Sequence, residues 1–372
     1  MNKYFNWVTF LLATTCRIDL GFFINGYLVT PQIAFGIAIV AIYPFLNPTK
    51  WIKLALYTLL AISPLLVAYH FSPIQADLKA TLILRAYLNL LTVLVVSVHC
   101  IRVDAKNFYY LCYGMLCQPF LTIFIYQLAN PIFIDDSYRL GGANVFAASI
   151  ICAIPYLFLL NVNKFNIIYH YLIFPLSILT FSRMLFLCYG INLVIKILFL
   201  RKNSFKSLVN ILLILIIALF IFNIGNERLS SNDERWLALQ SSYTTFMRYP
   251  YFGVGFGGWE NINNLSPSID NLVIVTGEDG KISTLNPHNS FARILIDLGM
   301  VGISIFLFIL TYFLINYKNL KIIIKYKTYF YLTCSSLFTQ FILSDVLEQL
   351  SVYILIGSIF ILSKITNLGR RI

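Results

Sequence analysis

Residues 207–225 read Ser-Leu-Val-Asn-Ile-Leu-Leu-Ile-Leu-Ile-Ile-Ala-Leu-Phe-Ile-Phe-Asn-Ile-Gly, without one charged side chain. A helix needs about 20 mostly apolar residues to cross a bilayer, and this stretch has them. Arg201, Lys202 and Lys206 precede it, and a long polar segment follows from Asn226. A basic flank, an apolar run and a polar loop together describe one membrane crossing.

The pattern repeats outward in both directions. Of 372 residues, 59% are hydrophobic and 11% charged, against roughly 25% charged in a water-soluble domain. No soluble core could hide that much apolar surface. Further candidate spans lie near 5–23, 28–46, 52–69, 80–100, 107–128, 144–161, 165–181, 184–200, 289–316, 328–345 and 350–364, which makes about twelve. The chain therefore reads as an all-α polytopic membrane protein. Residues 1–225 hold helices one to nine, 226–287 form one long outer loop, and 288–372 hold helices ten to twelve.

The net charge of +12 does not gather into a nucleic-acid patch. Lys3, Lys50, Lys53, Arg102, Lys106, Lys164, Lys196, Arg201, Lys202, Lys206, Lys318, Lys321, Lys325, Lys327, Lys364, Arg370 and Arg371 fall on one side of the alternating loops, with Asp104 their only acidic neighbour. By the positive-inside rule that side is cytoplasmic, and an even span count puts both termini there. The seven cysteines sit in or beside apolar runs, where they read as packing residues rather than as a disulfide or zinc framework.

In the long loop, Trp236, Leu239, Tyr243, Phe246 and Met247 recur at helical spacing within 234–249. An amphipathic helix lying on the membrane surface is expected there. Gly253-Val254-Gly255-Phe256-Gly257-Gly258 matches the letters of a dinucleotide fingerprint. That fingerprint needs a preceding strand and a βαβ unit, so a flexible turn behind Pro250 is the expectation.

Four arginines stand at or near the outer face, against the positive-inside rule: Arg139, Arg183, Arg235 and Arg248. Pairing with Asp135, Asp136, Asp233 or Glu234 is one account of them. Binding an anionic ligand is the other, and for Arg183, in a tight turn without a nearby acid, a phosphate suits the guanidinium fork. Asn286-Pro287-His288-Asn289 reads as a helix start, with Asn286 as cap and Pro287 as first helical residue. His288 would then stand in the first turn at the positive end of the helix dipole. Its imidazole would be neutral there and able to accept a proton; an interfacial hydrogen-bonding role is the alternative. Gly299 and Gly302 would let another helix approach closely.

These residues resemble the bacterial O-antigen polymerase and O-antigen ligase family. His288-Asn289, nine residues, then Gly299-Met300-Val301-Gly302 fits the family's H-N-x9-G-x-x-G pattern. Arg235 and, fifteen residues on, Pro250-Tyr251-Phe252-Gly253-Val254-Gly255 resemble its R…P-L-F-G-V-G segment, and Ser182-Arg183 and Arg139-Leu140-Gly141-Gly142 resemble two further family segments. The resemblance implies a GT-C-like glycosyltransferase of the bacterial inner membrane, acting at the periplasmic face on a glycan carried by undecaprenyl pyrophosphate. Catalysis would rest on His288 as base, and Arg183, Arg235, Arg139, Arg248 and Asn289 would bind pyrophosphate or glycan. It implies no metal, nucleotide or other cofactor, and the scattered basic residues leave no nucleic-acid partner. The bilayer, a chain-length regulator and a flippase are the accompanying partners. Polymerase is the preferred activity, ligase the alternative, and a transporter, which would show inverted repeats around a midplane site, a third reading.

Overall fold

The computed structural model describes residues 2–18, 22–24, 27–73, 80–129, 143–160, 163–173, 183–200, 229–259, 274–276, 282–284, 289–320, 324–343 and 349–367. The quoted run at 207–225 lies outside them, as do Arg139 and His288. In chain order the elements are α1 (Asn2–Thr15), β1 (Phe22–Ile24), β2 (Tyr27–Val29), α2 (Pro31–Leu46), α3 (Pro48–His70), α4 (Ala80–Arg102), α5 (Asn107–Ala129) and α6 (Ala143–Leu160). Then come α7 (Asn163–Ile168), continued by a π-helical turn Tyr169–Ile173, α8 (Arg183–Leu200), α9 (Leu229–Arg248), β3 (Ile274–Thr276), β4 (Ile282–Thr284), α10 (Ser290–Leu320), α11 (Ile324–Leu343) and α12 (Leu350–Asn367).

Among the described residues, α3, α4, α5 and α10 are long and apolar enough to cross a membrane, and α2, α6 and α12 are apolar but shorter. The surface agrees with that reading. Helix α3 buries only the stripe Leu54, Thr58, Ile62 and Ala68, and Phe45, Leu60, Leu84 and Phe308 stand exposed. Water would penalise such surface heavily, whereas lipid tails accept it. The chain is an integral membrane protein.

Helix starts follow local chemistry. Pro31 and Pro48 occupy the first positions of α2 and α3, and the Asn47 side chain accepts the Lys50 N–H. Pro44, Pro64, Pro119 and Pro155 lie inside helices, as membrane helices tolerate.

The expected span at 5–23 is shorter than the sequence suggests. Helix α1 has 14 residues and stops at Thr15, so at 1.5 Å per residue it covers about 21 Å of a roughly 30 Å hydrocarbon core. Arg17 follows in a turn, and the hairpin β1–β2 (Phe22 opposite Val29) leads into α2. A second small hairpin, β3–β4, pairs Ile274 with Thr284 within the long loop. Among the described residues the fold is helical with two minor hairpins.

Helix α1 packs on α5 and α2, α5 on α6, α6 on α11, α11 on α8, and α4 on α2, α3 and α12. Helix α10 touches α3, α9, α11 and α12. The bundle has two distinct ends. At one, Asn6 Nδ2 donates to Asp104 at 2.9 Å, and Phe5 and Tyr43 pack on His99. Lys50, Lys53, Arg102, Lys106, Lys318, Lys325, Lys327 and Lys364 belong to this end by helix direction. At the other end α1 stops, α2 begins, α11 stops and α10 begins, the Phe291 and Phe341 rings lying 5.5 Å apart. The seven cysteines are free thiols, buried or half-buried among the helices.

Candidate functional site at the loop end of the bundle

Helix α10 begins at Ser290. Asn289 caps it, its Oδ1 accepting the N–H groups of Phe291 at 2.9 Å and Ala292 at 3.1 Å. The cap is therefore three residues later than the expected Asn286, and Pro287 is not the first residue of α10. Two asparagines of equal capping strength stand within reach, and spacing alone does not choose between them. His288, outside the described residues, immediately precedes the cap in sequence.

Nine residues into α10 the helix breaks. Gly299 has φ 56° and ψ −138°, outside the range an L side chain readily adopts. The break frees two carbonyls, of Ile296 and Asp297, and two N–H groups, of Met300 and Val301, that would have bonded one another four residues apart. The segment after α9 takes up all four. Val254 N–H donates to the Ile296 carbonyl at 2.8 Å and Gly255 N–H to the Asp297 carbonyl at 3.0 Å. Met300 N–H donates to the Pro250 carbonyl at 2.7 Å and Val301 N–H to the Tyr251 carbonyl at 3.3 Å.

This overturns two expectations. Residues 253–258 are not a flexible turn but a buried strap, wound round the kink and paired with it through the backbone. Gly299 and Gly302 do not admit another helix. A Cβ on Gly299 would stand 2.4 Å from the Pro250 carbonyl oxygen, and one on Gly302 would stand 2.4 Å from the Ile294 side chain of its own helix. Gly253, with φ 65°, has no room either, since a Cβ there would be 2.3 Å from the Ile296 carbonyl oxygen. The glycine-rich motif thus brings backbone close to backbone.

Side chains complete the unit. The buried Asp297 carboxylate accepts the N–H of Gly257 at 3.0 Å, the N–H of Trp259 at 3.3 Å and Nε of Arg293 at 3.2 Å. The Arg293 guanidinium also lies 5.5 Å from the Trp259 ring centre. Helix α9, expected over 234–249, packs against α10, and its Ala238, Ser241, Ser242 and Thr245 are buried. Trp236, Tyr243 and Met247 are exposed on its outer side, where an amphipathic surface helix would meet lipid.

Of the residues expected at the site, Arg183 is the first residue of α8, Arg235 stands in the second turn of α9, and Arg248 ends that helix with its side chain exposed. Arg248 and Asn289 belong to one packed unit of α9, strap and α10. Sequence reading missed Arg293 and Asp297, although an acid and a base four residues apart in an apolar run are a visible signal.

A second polar group missed by the sequence reading lies at the same end. Arg17, 4% exposed, donates from Nη2 to Gln340 Oε1. Gln340 Nε2 reaches Cys152 Sγ at 3.4 Å, and Gln118 Nε2 reaches Cys16 Sγ at 3.3 Å. With its amide turned to satisfy both neighbours, Gln32 donates to the Cys16 carbonyl at 2.8 Å and accepts from Arg85 Nη2 at 2.7 Å. Phe341, next to Gln340, carries the ring that meets Phe291 at the start of α10. An arginine within an apolar run was the available clue, for Arg17 and Arg85 alike.

Residues 171–307 match the O-antigen ligase family, a stretch running from the π-helical turn through α8, α9, the strap and the kink of α10. No curated protein and no solved structure matches the chain.

Proposed function

We propose, on the premise that this membrane protein carries an O-antigen ligase family domain at residues 171–307, that it is a surface-polysaccharide polymerase. It transfers a glycan from undecaprenyl pyrophosphate onto a lipid-linked repeat unit at the periplasmic face of the bacterial inner membrane. The observation that carries this reading is the packed unit of α9, strap and kinked α10, which lies within the matched residues and ends at the capped helix start beside His288.

The chemistry has three requirements. The acceptor hydroxyl must lose a proton, and His288 is the base. The leaving pyrophosphate must be stabilised, and Arg183 and Arg235 supply charge-assisted hydrogen bonds, with Arg139 and Arg248 as further cations for it. Water must be kept out, and the loop over residues 226–287 covers the reacting groups. Asn289 has its Oδ1 engaged by the cap, so its Nδ2 is the group it offers to a glycan oxygen. The lipid-linked donor stores the energy, so neither nucleotide nor metal is needed. The architecture is GT-C-like with about twelve spans. The lysine-rich end of the bundle is cytoplasmic, and both termini lie there. A chain-length regulator and a flippase act beside it.

The family's own description favours a second reading, transfer of the finished glycan to lipid A-core. Deleting the gene separates the two on a lipopolysaccharide gel. Core plus a single repeat identifies a polymerase, and bare core with accumulated lipid-linked polymer identifies a ligase. His288→Ala, inserted normally, should lose about 10² to 10⁴ in transfer rate, and His288→Gln should be as poor because it cannot accept the proton. Wild-type polymer from the Ala variant would remove the base and with it the enzyme reading.

A further inference from the structure

Arg17 has the burial of a structural arginine, but among the described residues it has no carboxylate partner. Its Nε is buried and bonded to nothing among the described residues, and its hydrogen-bond acceptor there is the neutral Gln340 amide. An amide oxygen can take a hydrogen bond from a guanidinium but cannot neutralise it, and a buried charge without a counter-charge is unfavourable. The other groups near it do not help. Gln118 and Cys16 are uncharged, and Gln32 links the Cys16 backbone to a second guanidinium, that of Arg85. Arg17 thus meets a neutral amide at the bundle end where α10 begins, and among the described residues no carboxylate is paired with it.

We propose that Arg17, seated by Gln340, is a binding residue for a phosphate-type oxyanion, a subsite contributed by the N-terminal helices rather than by residues 171–307. The guanidinium fork suits such a group, and the unused Nε–H is the donor it would take. Gln340 acts through Arg17, holding the guanidinium by Nη2 and leaving the Nε–H for the ligand. Taking the source to be the diphosphate of a lipid-linked donor rests on the proposed glycan transfer; the oxyanion chemistry does not.

The test uses the full-length protein in lipid nanodiscs, with farnesyl pyrophosphate, farnesol and inorganic pyrophosphate as probes. Affinity and the shift in thermal midpoint are measured for each. Wild type should bind farnesyl pyrophosphate better than farnesol, and Arg17→Gln should weaken that binding by about tenfold or more, the scale of one charged hydrogen bond. Without probe, Arg17→Gln should melt no lower than wild type, because it removes a buried charge that no described residue compensates. Unchanged affinity in Arg17→Gln, or equal wild-type affinity for farnesol, overturns the proposal, as does a lowered melting point with affinity intact. Should Arg17→Gln fail to fold, Arg17→Lys carries the test: it keeps the charge and loses the fork, so unchanged affinity there is equally fatal. Inorganic pyrophosphate binding as tightly as the farnesyl probe marks a site for free phosphate, and much weaker binding marks a lipid headgroup; both support the oxyanion. If the lipopolysaccharide gel rejects glycan transfer while probe binding still depends on Arg17, that function fails and this inference stands.

Discussion

Arg293 and Arg17 are each 4% exposed, at the same end of one helical bundle, and they are held in opposite ways. Arg293 donates to the Asp297 carboxylate, one turn along its own helix, and lies against the Trp259 ring. Asp297 in turn accepts two backbone N–H groups of the strap. That pair is closed: its charges cancel and its bonds pin the strap to α10. Arg17 has an amide where Arg293 has a carboxylate. Burial alone therefore does not say what an arginine is for; the charge of its partner does. A neutralised guanidinium holds structure, and one left positive can hold a ligand.

The comparison breaks most visibly at Asp297. Asp297→Ala strands the Arg293 charge and two strap N–H groups, and should cost about 3–5 kcal/mol, the range for removing one partner of a buried pair. Denaturation in detergent would measure it. If Asp297→Ala were no less stable than Arg17→Gln, the distinction between the two arginines would collapse.

A smaller effect is expected at the kink. Gly299→Ala puts a Cβ on a positive-φ residue and against the Pro250 carbonyl, and should cost about 1–3 kcal/mol as stored backbone strain. Limited proteolysis within the strap should rise together with the stability loss. A wild-type proteolysis pattern would mean that the strap holds without the kink.

The smallest effect belongs to the cap. Asn289→Ala removes the acceptor for two N–H groups at the start of α10 and should cost about 0.5–2 kcal/mol. Any transfer defect should then exceed what the stability loss explains, because the same side chain is assigned to the glycan. Transfer that falls only in step with protein level would reduce Asn289 to a cap.

What the sequence determined by itself is what local forces decide. Apolar runs near 52–69, 80–100, 107–128 and 289–316 became α3, α4, α5 and α10, since a segment in lipid must satisfy its own backbone and a helix does so within four residues. The helical spacing at 234–249 became α9 for the same local reason. The order of motifs sufficed to suggest the family that residues 171–307 match. Only the tertiary structure could show that Gly253 to Gly258 form a buried strap, because its hydrogen-bond partners lie in a helix some forty residues on, as with Gly257 and Asp297. Only packing could end α1 at Thr15 and bring Arg17 to Gln340, 323 residues away. Whether a helix forms obeys the nearest few residues, whereas where it ends and which partner fixes the meaning of a buried charge come from wherever the fold delivers them.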